Sequence, residues 1–359
     1  MNARSCAFNM LSRCNLSTSI SSFSNKKVAR FRSLLGVDRK NKFNGDDLIV
    51  LEGHRHVIDS IERGLIPSLC LVSNRALVAP LGCMLCTLLA DNSIKYDMVD
   101  DNVLQRLSSS EHSQGVLAAV PRSSLRNYIT LSEKNKDDSD IDSTVCMLLK
   151  SLVSNPIMLL LDGIQDPGNL GTLYRNAYGF GAGCVVTVGG CHPLSPKVIR
   201  SSLGTVLAPD LVSLSVRGDL LGQLSSVVQA LARDRTLYLL TAGVPGARGS
   251  DSAVSEYAEI QGILENDSRA TPKQSSVSPV VILVLGSEAE GISPEVTRWV
   301  DSISGDPLGG VKVVPITIPM WSRSAGHSGA LDSLNVANAG AILLCELSRI
   351  MRSRDWDMR

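Results

Sequence analysis

The chain has 359 residues, of which 44% are hydrophobic, and it carries 35 basic and 35 acidic residues. This length predicts two domains with some additional sequence, and the nine cysteines, scattered through apolar stretches, exclude a disulfide-dense scaffold. No apolar run reaches the roughly 18 residues that a membrane-spanning helix needs, so we predict a soluble protein without a membrane partner.

Residues 1–37 contain basic and hydroxylated side chains and no acidic residue. This composition is typical of an organellar transit peptide, and the segment lacks the continuous apolar core of a secretory signal. We therefore predict a leader over residues 1–25 and a mitochondrial location, with a plastid or the cytoplasm as alternatives. A disordered basic tail is the other interpretation of the same composition.

The pattern of residues 26–121 predicts a small α/β domain, with strands at 48–51 and 68–73 and an amphipathic helix at 53–64. His54 and His56 at the start of that helix are interpreted as surface or capping residues. Cys83 and Cys86 have the spacing of metal ligands, but no second pair completes a site, so we predict no metal.

Residues 122–155 are polar and charged, which predicts a linker, and the polar stretch 244–279 predicts an exposed loop. Between and after these segments, apolar runs alternate with helical patterns, and a short tail follows at 354–359. The predicted strands are 157–161, 184–188, 237–241, 280–285 and 311–318, and the predicted helices are 168–180, 196–203, 220–232, 294–300 and 334–351. Such alternation predicts a mostly parallel sheet with helices on both faces.

Several classes of enzyme are excluded because the sequence lacks their catalytic signatures. The glycines at 179–183 precede a strand, whereas a dinucleotide fingerprint follows one. No glycine-rich loop ends in Gly-Lys-Ser or Gly-Lys-Thr, and no serine lies in Gly-x-Ser-x-Gly. The polar turns that follow the strands instead favour a neutral, hydrogen-bonding ligand such as an adenosine.

Three motifs in the second domain carry a family resemblance. Asn169, Gly171 and Arg175 form the first, Gly286, Glu288 and Gly291 the second, and Pro319-Met320 with residues 333–336 the third. Together they resemble the SpoU-type RNA 2′-O-ribose methyltransferases of the SPOUT superfamily over residues 156–353. The run 191–200 is most similar to mitochondrial large-subunit rRNA methyltransferases, and the runs 51–64 and 113–118 resemble the family's substrate-binding domain.

The resemblance implies a trefoil-knotted α/β domain that binds S-adenosyl-L-methionine through the backbone of Gly286, Ile318 and Leu334, and that works as a homodimer. It also implies that Arg175 orients the ribose hydroxyl, because an arginine stays protonated and is a poor base. Asn169 would hold the same loop, and Glu288 would pair with Arg175 or fix its geometry. Ser333 and Asn335 would complete the site, although both residue types are also good helix caps.

The predicted function is methylation of a ribose 2′-hydroxyl in RNA, with large-subunit rRNA favoured. A tRNA 2′-O-methyltransferase, a non-catalytic RNA-binding or ribosome-assembly protein and a small-molecule transferase on the same fold are the alternatives. The segment 321–332 is longer than the resemblance predicts; contact with RNA and a tolerated insertion both explain it. Because the net charge is zero, RNA binding needs a local basic patch, for which the candidates are Lys197, Arg200, Arg30, Arg32, Arg39 and Lys40.

Overall fold

The computed structural model describes residues 19–36, 48–108, 113–131, 138–216, 221–233, 235–243, 255–270, 279–304, 310–319 and 333–356. The chain divides into two compact units. The first comprises residues 1–126 together with 192–209, and the second comprises 127–191 together with 210–359. In these described ranges, no helix is both long and apolar enough to cross a membrane.

The first unit contains a four-stranded sheet in the order β1-β4-β2-β3. β4 runs antiparallel to β1 and β2, and β3 runs parallel to β2. The two predicted strands and the predicted helix of this region are confirmed. The strands are β1 (Leu48–Glu52), β2 (Leu69–Val72), β3 (Asp97–Met98) and β4 (Val116–Pro121), and the helices are α1 (Lys26–Leu34), α2 (His54–Glu62), α3 (Asn74–Val78), α4 (Gly82–Asp91), α5 (Asp101–Leu107) and α8 (Pro196–Ser201).

The predicted leader is too long at its carboxyl end. The Ile20 N–H donates to the carbonyl of Met98 at 2.8 Å, and the Asp100 N–H donates to the carbonyl of Ile20 at 3.1 Å. Ile20 and Phe23 also pack against the apolar core of the first unit. Residues 19–25 therefore belong to the fold, because their two large apolar side chains complete this core; residues 1–18 lie outside the described part.

His54 is a buried residue, which corrects its interpretation as a surface residue. Its side chain is 4% exposed, and Nε2 lies 2.8 Å from the carbonyl oxygen of Ala76. Its backbone N–H donates to Oε1 of Gln114 at 3.0 Å. His54 therefore stabilises the start of α2 inside the first unit.

The second unit contains an eight-stranded sheet in the order β10-β12-β9-β11-β6-β7-β8-β5, and every pairing in it is parallel. β6 and β11 are buried along their whole length, as expected for strands covered on both faces. The strands are β5 (Tyr128–Leu131), β6 (Ile157–Asp162), β7 (Cys184–Val188), β8 (Val212–Val216), β9 (Leu237–Ala242), β10 (Ser255–Glu256), β11 (Val280–Leu285) and β12 (Val311–Thr317).

In the described part of this unit, six α-helices flank the sheet, so the predicted α/β class with a mostly parallel sheet is confirmed. They are α6 (Asp138–Ser154), α7 (Pro167–Gly179), α9 (Leu221–Ala232), α10 (Ile260–Ala270), α11 (Pro294–Ser304) and α12 (Val336–Trp356). α12 packs closely on α7, since a Cβ at Gly340 would meet Leu173 and would lie 3.0 Å from Leu285 Cδ1. The trefoil knot that the resemblance implies stays a prediction, and residues 320–332, between β12 and α12, lie outside the described residues.

Two predicted irregular segments contain regular structure. Within the predicted linker 122–155, β5 joins the eight-stranded sheet and α6 buries Leu148 and Leu152 completely. Within the predicted loop 244–279, α10 buries Ile260 and Leu264. The charged run 133–142, which gave the linker signal, overlaps only the start of α6, whose remaining residues are largely apolar. In α10 the polar face does dominate the composition.

The described cysteines form no disulfide, as predicted, and two of them are core residues. Burial raises the pKa of the Cys70 thiol to about 12, with a smaller contribution from the charge of Asp97. Burial likewise raises the pKa of Cys184. Both thiols therefore stay protonated and act as small apolar side chains.

Candidate active site

The candidate site lies at the carboxyl ends of two neighbouring strands of the second unit. β6 and β11 pair in parallel, with Leu161 opposite Leu285 in the last rung of the ladder. Both strands consequently end at the same edge of the sheet, which is where open α/β sheets bind ligands. The chain leaves β6 toward α7 and leaves β11 through a tight turn at residues 286–291.

The start of α7 fixes Asn169 at this edge. Asp166 is the N-cap residue, Pro167 follows at the first helical position, and Asp166 Oδ2 accepts a hydrogen bond from the Asn169 N–H at 2.7 Å. Proline suits this position because its missing N–H would have no helical partner there. The Asn169 side chain therefore sits in a first turn whose backbone is already held by a carboxylate.

The turn after β11 presents Glu288. The N–H groups of Ser287 and Gly291 each donate to the other residue's carbonyl at 2.9 Å, and Gly291 has a φ of 69°. A Cβ at Gly286 would collide with the backbone of Gly291 and Ile292, so only glycine fits at that position. The closed turn leaves the Glu288 side chain exposed at its tip.

The two segments meet the start of α12 in a hydrogen-bonded cluster of Asn169, Glu288 and Asn335, here named the hub. Glu288 Oε1 accepts from Asn169 Nδ2 at 2.9 Å, from Asn335 Nδ2 at 2.6 Å and from the Val336 N–H at 3.3 Å. Asn335 Nδ2 also donates to Asn169 Oδ1 at 3.1 Å. The hub thus joins one residue from each of the three motifs.

Asn335 serves as a helix cap and as a hub residue at the same time. Its Oδ1 accepts from the backbone N–H of Ala337 at 3.0 Å, while its Nδ2 donates to the other two hub residues. The capping and site interpretations of Asn335 are therefore compatible, because they use opposite ends of one amide group.

Arg175 is not paired with Glu288, which corrects that part of the expectation. Its side chain is exposed, and it makes no ion pair or hydrogen bond with any residue in the described ranges. Arg175 lies six residues beyond Asn169 on α7, which corresponds to about 9 Å along the helix axis and about 120° around it. That rotation turns the guanidinium away from the hub.

Tyr174, next to Arg175, is excluded as a proton acceptor at the surface. Its side chain is fully buried, and its hydroxyl lies 2.6 Å from Ser213 Oγ. Burial raises the pKa of Tyr174 well above its ordinary value, against a smaller lowering by the hydrogen bond with Ser213. Tyr174 therefore anchors α7 to the sheet.

The predicted cofactor-binding residues occupy three loop ends in the second unit. Gly286 follows β11, Ile318 follows β12 and Leu334 precedes α12, and all three are half-buried. Among the described residues, their backbone N–H and C=O groups have no hydrogen-bond partner. Ser333 lies exposed beside Leu334, and its hydroxyl contacts no described polar group.

Asp162 is a further site residue that was missed in the sequence. It ends β6 with 4% exposure, and its Oδ2 accepts from the Ser293 N–H at 2.6 Å. Ser293 in turn caps α11 by accepting from the Val296 N–H at 3.2 Å. An acidic residue at the end of an otherwise apolar strand was the available signal, and here it ties the end of β6 to α11.

The predicted RNA-binding residues lie in the first unit. Lys197 is exposed on α8, whereas Arg200 on the same helix pairs with the buried Glu52 at 3.5 Å. Arg30 is exposed on α1, and the Arg32 guanidinium lies 5.3 Å from the centre of the Phe23 ring. Arg200 and Arg32 therefore have structural contacts that the sequence did not indicate, and Arg39 and Lys40 fall outside the described residues.

In the described residues, no three His, Cys, Asp or Glu side chains come together in a way that could hold a metal ion. The hub itself combines one carboxylate with two amides. It can accept and donate hydrogen bonds to a neutral ligand, and it offers a metal ion only a single charged ligand.

Two family matches cover the two regions of the chain. The SpoU rRNA Methylase family matches residues 156–305, and the family described as RNA 2′-O ribose methyltransferase substrate binding matches residues 83–125. The first match includes two of the three hub residues.

Individual relatives agree with these matches. Human mitochondrial rRNA methyltransferase 3 is 26% identical over 57% of this chain and 49% of its own length. Human mitochondrial rRNA methyltransferase 1 is 31% identical over 52% of this chain and 44% of its own length. The SpoU methyltransferase AviRb from Streptomyces viridochromogenes, solved in complex with the cofactor AdoMet, is 19% identical, covers 92% of this chain and 100% of its own, and superposes with a TM-score of 0.61.

The chain spans about half the length of the mitochondrial relatives it matches. The structural likeness confirms the fold, including a separate α/β domain before the eight-stranded one. Residues 156–305, which include two of the three hub residues, therefore carry a domain of the SpoU rRNA methylase family.

Proposed function

We propose that the protein transfers a methyl group from S-adenosyl-L-methionine to a ribose 2′-hydroxyl of RNA. The observation that supports this proposal is the hub, in which Glu288 Oε1 accepts hydrogen bonds from one residue of each of the other two motifs, at 2.9 and 2.6 Å. An assembly of three separate segments around one exposed carboxylate creates a polar corner at the ligand-binding edge of the sheet.

The residues present fit the proposed cofactor. Gly286, Ile318 and Leu334 have backbone polar groups without partners in the described residues, and such groups need hydrogen bonds when they are shielded from water. A nucleoside with an amino-acid tail has donors and acceptors that can satisfy them. When bound there, S-adenosyl-L-methionine supplies a methyl group attached to a positively charged sulfur.

The side chains have separate tasks in this proposal. Arg175 orients the ribose and an adjacent phosphate, because its guanidinium is exposed, has no described partner and has the fork geometry that suits phosphate oxygens. Asn169 and Asn335 fix Glu288, whose Oε2 has no partner among the described residues and can accept a hydrogen bond from the ligand. Positioning and deprotonation of the hydroxyl dominate in such a displacement.

The proposed substrate is rRNA, with large-subunit rRNA favoured by the run 191–200, and tRNA is the second candidate. The mitochondrial relatives and the acid-free composition of residues 1–37 support a mitochondrial location. We extend the family resemblance to a homodimer. In support, Tyr178 on α7 and Ile342 on α12 are exposed large apolar side chains.

The proposed function is tested with the full chain in two steps. Isothermal titration with S-adenosyl-L-methionine should give one site per chain, and labelled methyl groups should then appear in rRNA fragments. Methyl transfer to tRNA alone would show that tRNA, the second candidate, is the substrate in place of rRNA. Binding without transfer to any RNA would favour an assembly protein, and absence of both would reject the proposal.

A further inference from the structure

The first unit contains a small open cavity at the edge of its sheet. The cavity has a volume of about 140 Å³ and is lined by Arg75, Asp101, Asn102, Gln105, Ser113 and Gly115. An engineered protein cavity of about 150 Å³ holds one benzene molecule, so the space here suits a single six-membered ring.

The floor of the cavity is built by a tight backbone arrangement. Ser113 is 6% exposed, and its hydroxyl oxygen accepts from the Gly115 N–H at 3.1 Å, which leaves the hydroxyl proton available to a ligand. Gly115 has a φ of 77°, and a Cβ there would collide with Ser73 Oγ. The Ser113 N–H donates to Gln105 Oε1 at 3.1 Å and holds the loop against α5.

The rim of the cavity combines opposite charges that do not pair. Arg75 and Asp101 both line this space, yet neither they nor Asn102 form an ion pair or a hydrogen bond within the described residues. The opposite charges of Arg75 and Asp101 offset one another, so the rim gives no net attraction to an anion such as phosphate or to a cation. An apolar ligand would remove these groups from water without replacing their hydrogen bonds.

A neutral planar ring with donors and acceptors along one edge fits all of these constraints. The base of an unpaired nucleotide has such an edge, and proteins that read RNA by sequence do so mainly at unpaired bases. A pyrimidine has one six-membered ring, which matches the volume of this cavity, whereas a purine adds a five-membered ring. We propose that the cavity binds one unpaired pyrimidine base of the RNA substrate, an inference that rests on the proposed function.

The test compares the affinities of the full chain for single-stranded oligouridylate, oligocytidylate and oligoadenylate of equal length, by fluorescence anisotropy at one salt concentration. A base held by paired hydrogen bonds is discriminated by about tenfold or more. The wild-type chain should therefore bind one of the pyrimidine oligomers on the order of tenfold more tightly than oligoadenylate. Asp101→Asn and Asn102→Ala should each move this ratio toward one.

The matched control is Asp91→Asn, which makes the same charge change on α4, at an exposed residue that does not line the cavity. Loss of one negative charge should tighten binding of every oligomer alike and leave the ratio unchanged. If Asp101→Asn behaves like Asp91→Asn, or if Asn102→Ala keeps the wild-type ratio, the base-binding cavity is rejected. Asn102 is exposed on α5, where alanine favours the helix, so this variant should fold normally.

Methyl transfer by the same preparations separates this inference from the function on which it rests. Methyl transfer to rRNA, with the affinity ratio of pyrimidine oligomer to oligoadenylate unchanged in both variants, would reject the base-binding role of the cavity and keep the proposed function. Ratios that shift as expected, without transfer to any RNA, would support the base-binding cavity and reject the proposed function.

Discussion

At the scale of single residues, one carboxylate oxygen organises the second unit's candidate site. Glu288 Oε1 accepts hydrogen bonds from two amide side chains and one backbone N–H, and those donors come from α7 and the start of α12. Hydrogen bonds to a charged acceptor are stronger than those between neutral groups. The position of the Glu288 turn relative to both helices therefore depends on this one side chain.

Glu288→Ala should lower kcat/KM for methyl transfer by about 10- to 100-fold, because hydrogen bonds to a charged group contribute about 1.5–3 kcal/mol each and exposure reduces their value. Glu288→Gln should lose less, since an amide oxygen can still accept from the three donors. The control is Glu295→Ala, at an exposed residue in the first turn of α11. Equal kinetics for Glu288→Ala and Glu295→Ala would remove the hub from the mechanism.

Arg175→Ala should abolish methyl transfer while the affinity for S-adenosyl-L-methionine, measured by calorimetry, stays within a few-fold. Arg175→Lys should recover little activity, because an ammonium group lacks the two parallel donors of a guanidinium. Arg233→Ala removes another exposed arginine of the second unit and should leave turnover unchanged. Near-normal turnover of Arg175→Ala would contradict the proposed role of this residue.

At the scale of elements, the short helix α8 carries two basic residues with different surroundings. Lys197 is exposed to solvent, whereas Arg200 lies beside Glu52, whose side chain is 6% exposed and also accepts from Ser108 Oγ. From the sequence alone, both residues are candidates for phosphate contacts. Only the packing of α8 against β1 distinguishes them.

Lys197→Ala should reduce the slope of log affinity against log salt for RNA by about one phosphate contact and leave stability unchanged. Arg200→Ala should lower the free energy of unfolding by about 1–3 kcal/mol in a urea titration, since it leaves the buried Glu52 carboxylate without this cation. If Arg200→Ala is as stable as Lys197→Ala and reduces the salt slope to the same extent, Arg200 is an RNA contact after all.

Because residues 19–25 pack in the first unit, we expect two amino-terminal truncations to give different results. Removal of residues 1–18 should leave the melting temperature unchanged. Removal of residues 1–24 should lower stability by about 1–3 kcal/mol, because Ile20 and Phe23 leave half-buried positions on the core of the first unit. Thermal unfolding of both truncated chains checks this. Equal melting temperatures would show that the hydrogen bonds of Ile20 and the packing of Ile20 and Phe23 contribute nothing to stability.

At the scale of the whole molecule, the sequence predicts best what depends on long apolar runs. β6 and β11 were predicted almost to the residue, because strands buried on both faces are continuously hydrophobic. α6 was missed because the charged run 133–142 overlaps its start, although the rest of the helix is largely apolar. The motifs indicated which residues form the hub. Of the two expected roles of Glu288, direct pairing with Arg175 is not seen among the described residues, because it depends on the rotation around α7, and fixing the geometry of Arg175 stays a prediction.

The assignment of residues 192–209 to the first unit could not have been predicted from apolar runs or motifs. They lie between two neighbouring strands of the second unit, β7 and β8, but pack in the first unit, where α8 contacts β1 and Arg63 donates to the Gly204 carbonyl at 3.0 Å. Chain order therefore places this segment in one domain and contacts place it in the other. Sequence patterns describe local periodicity and contain no record of such long-range packing.

The central claim is that the hub supports methyl transfer to a ribose oxygen. The full chain should be incubated with rRNA fragments and S-adenosyl-L-methionine labelled in its methyl group, and the RNA digested to nucleosides for mass spectrometry. The account predicts that the label appears on the 2′-oxygen of one nucleoside and disappears with Arg175→Ala and Glu288→Ala. Label on a base, or label on the ribose that persists in both variants, would contradict it.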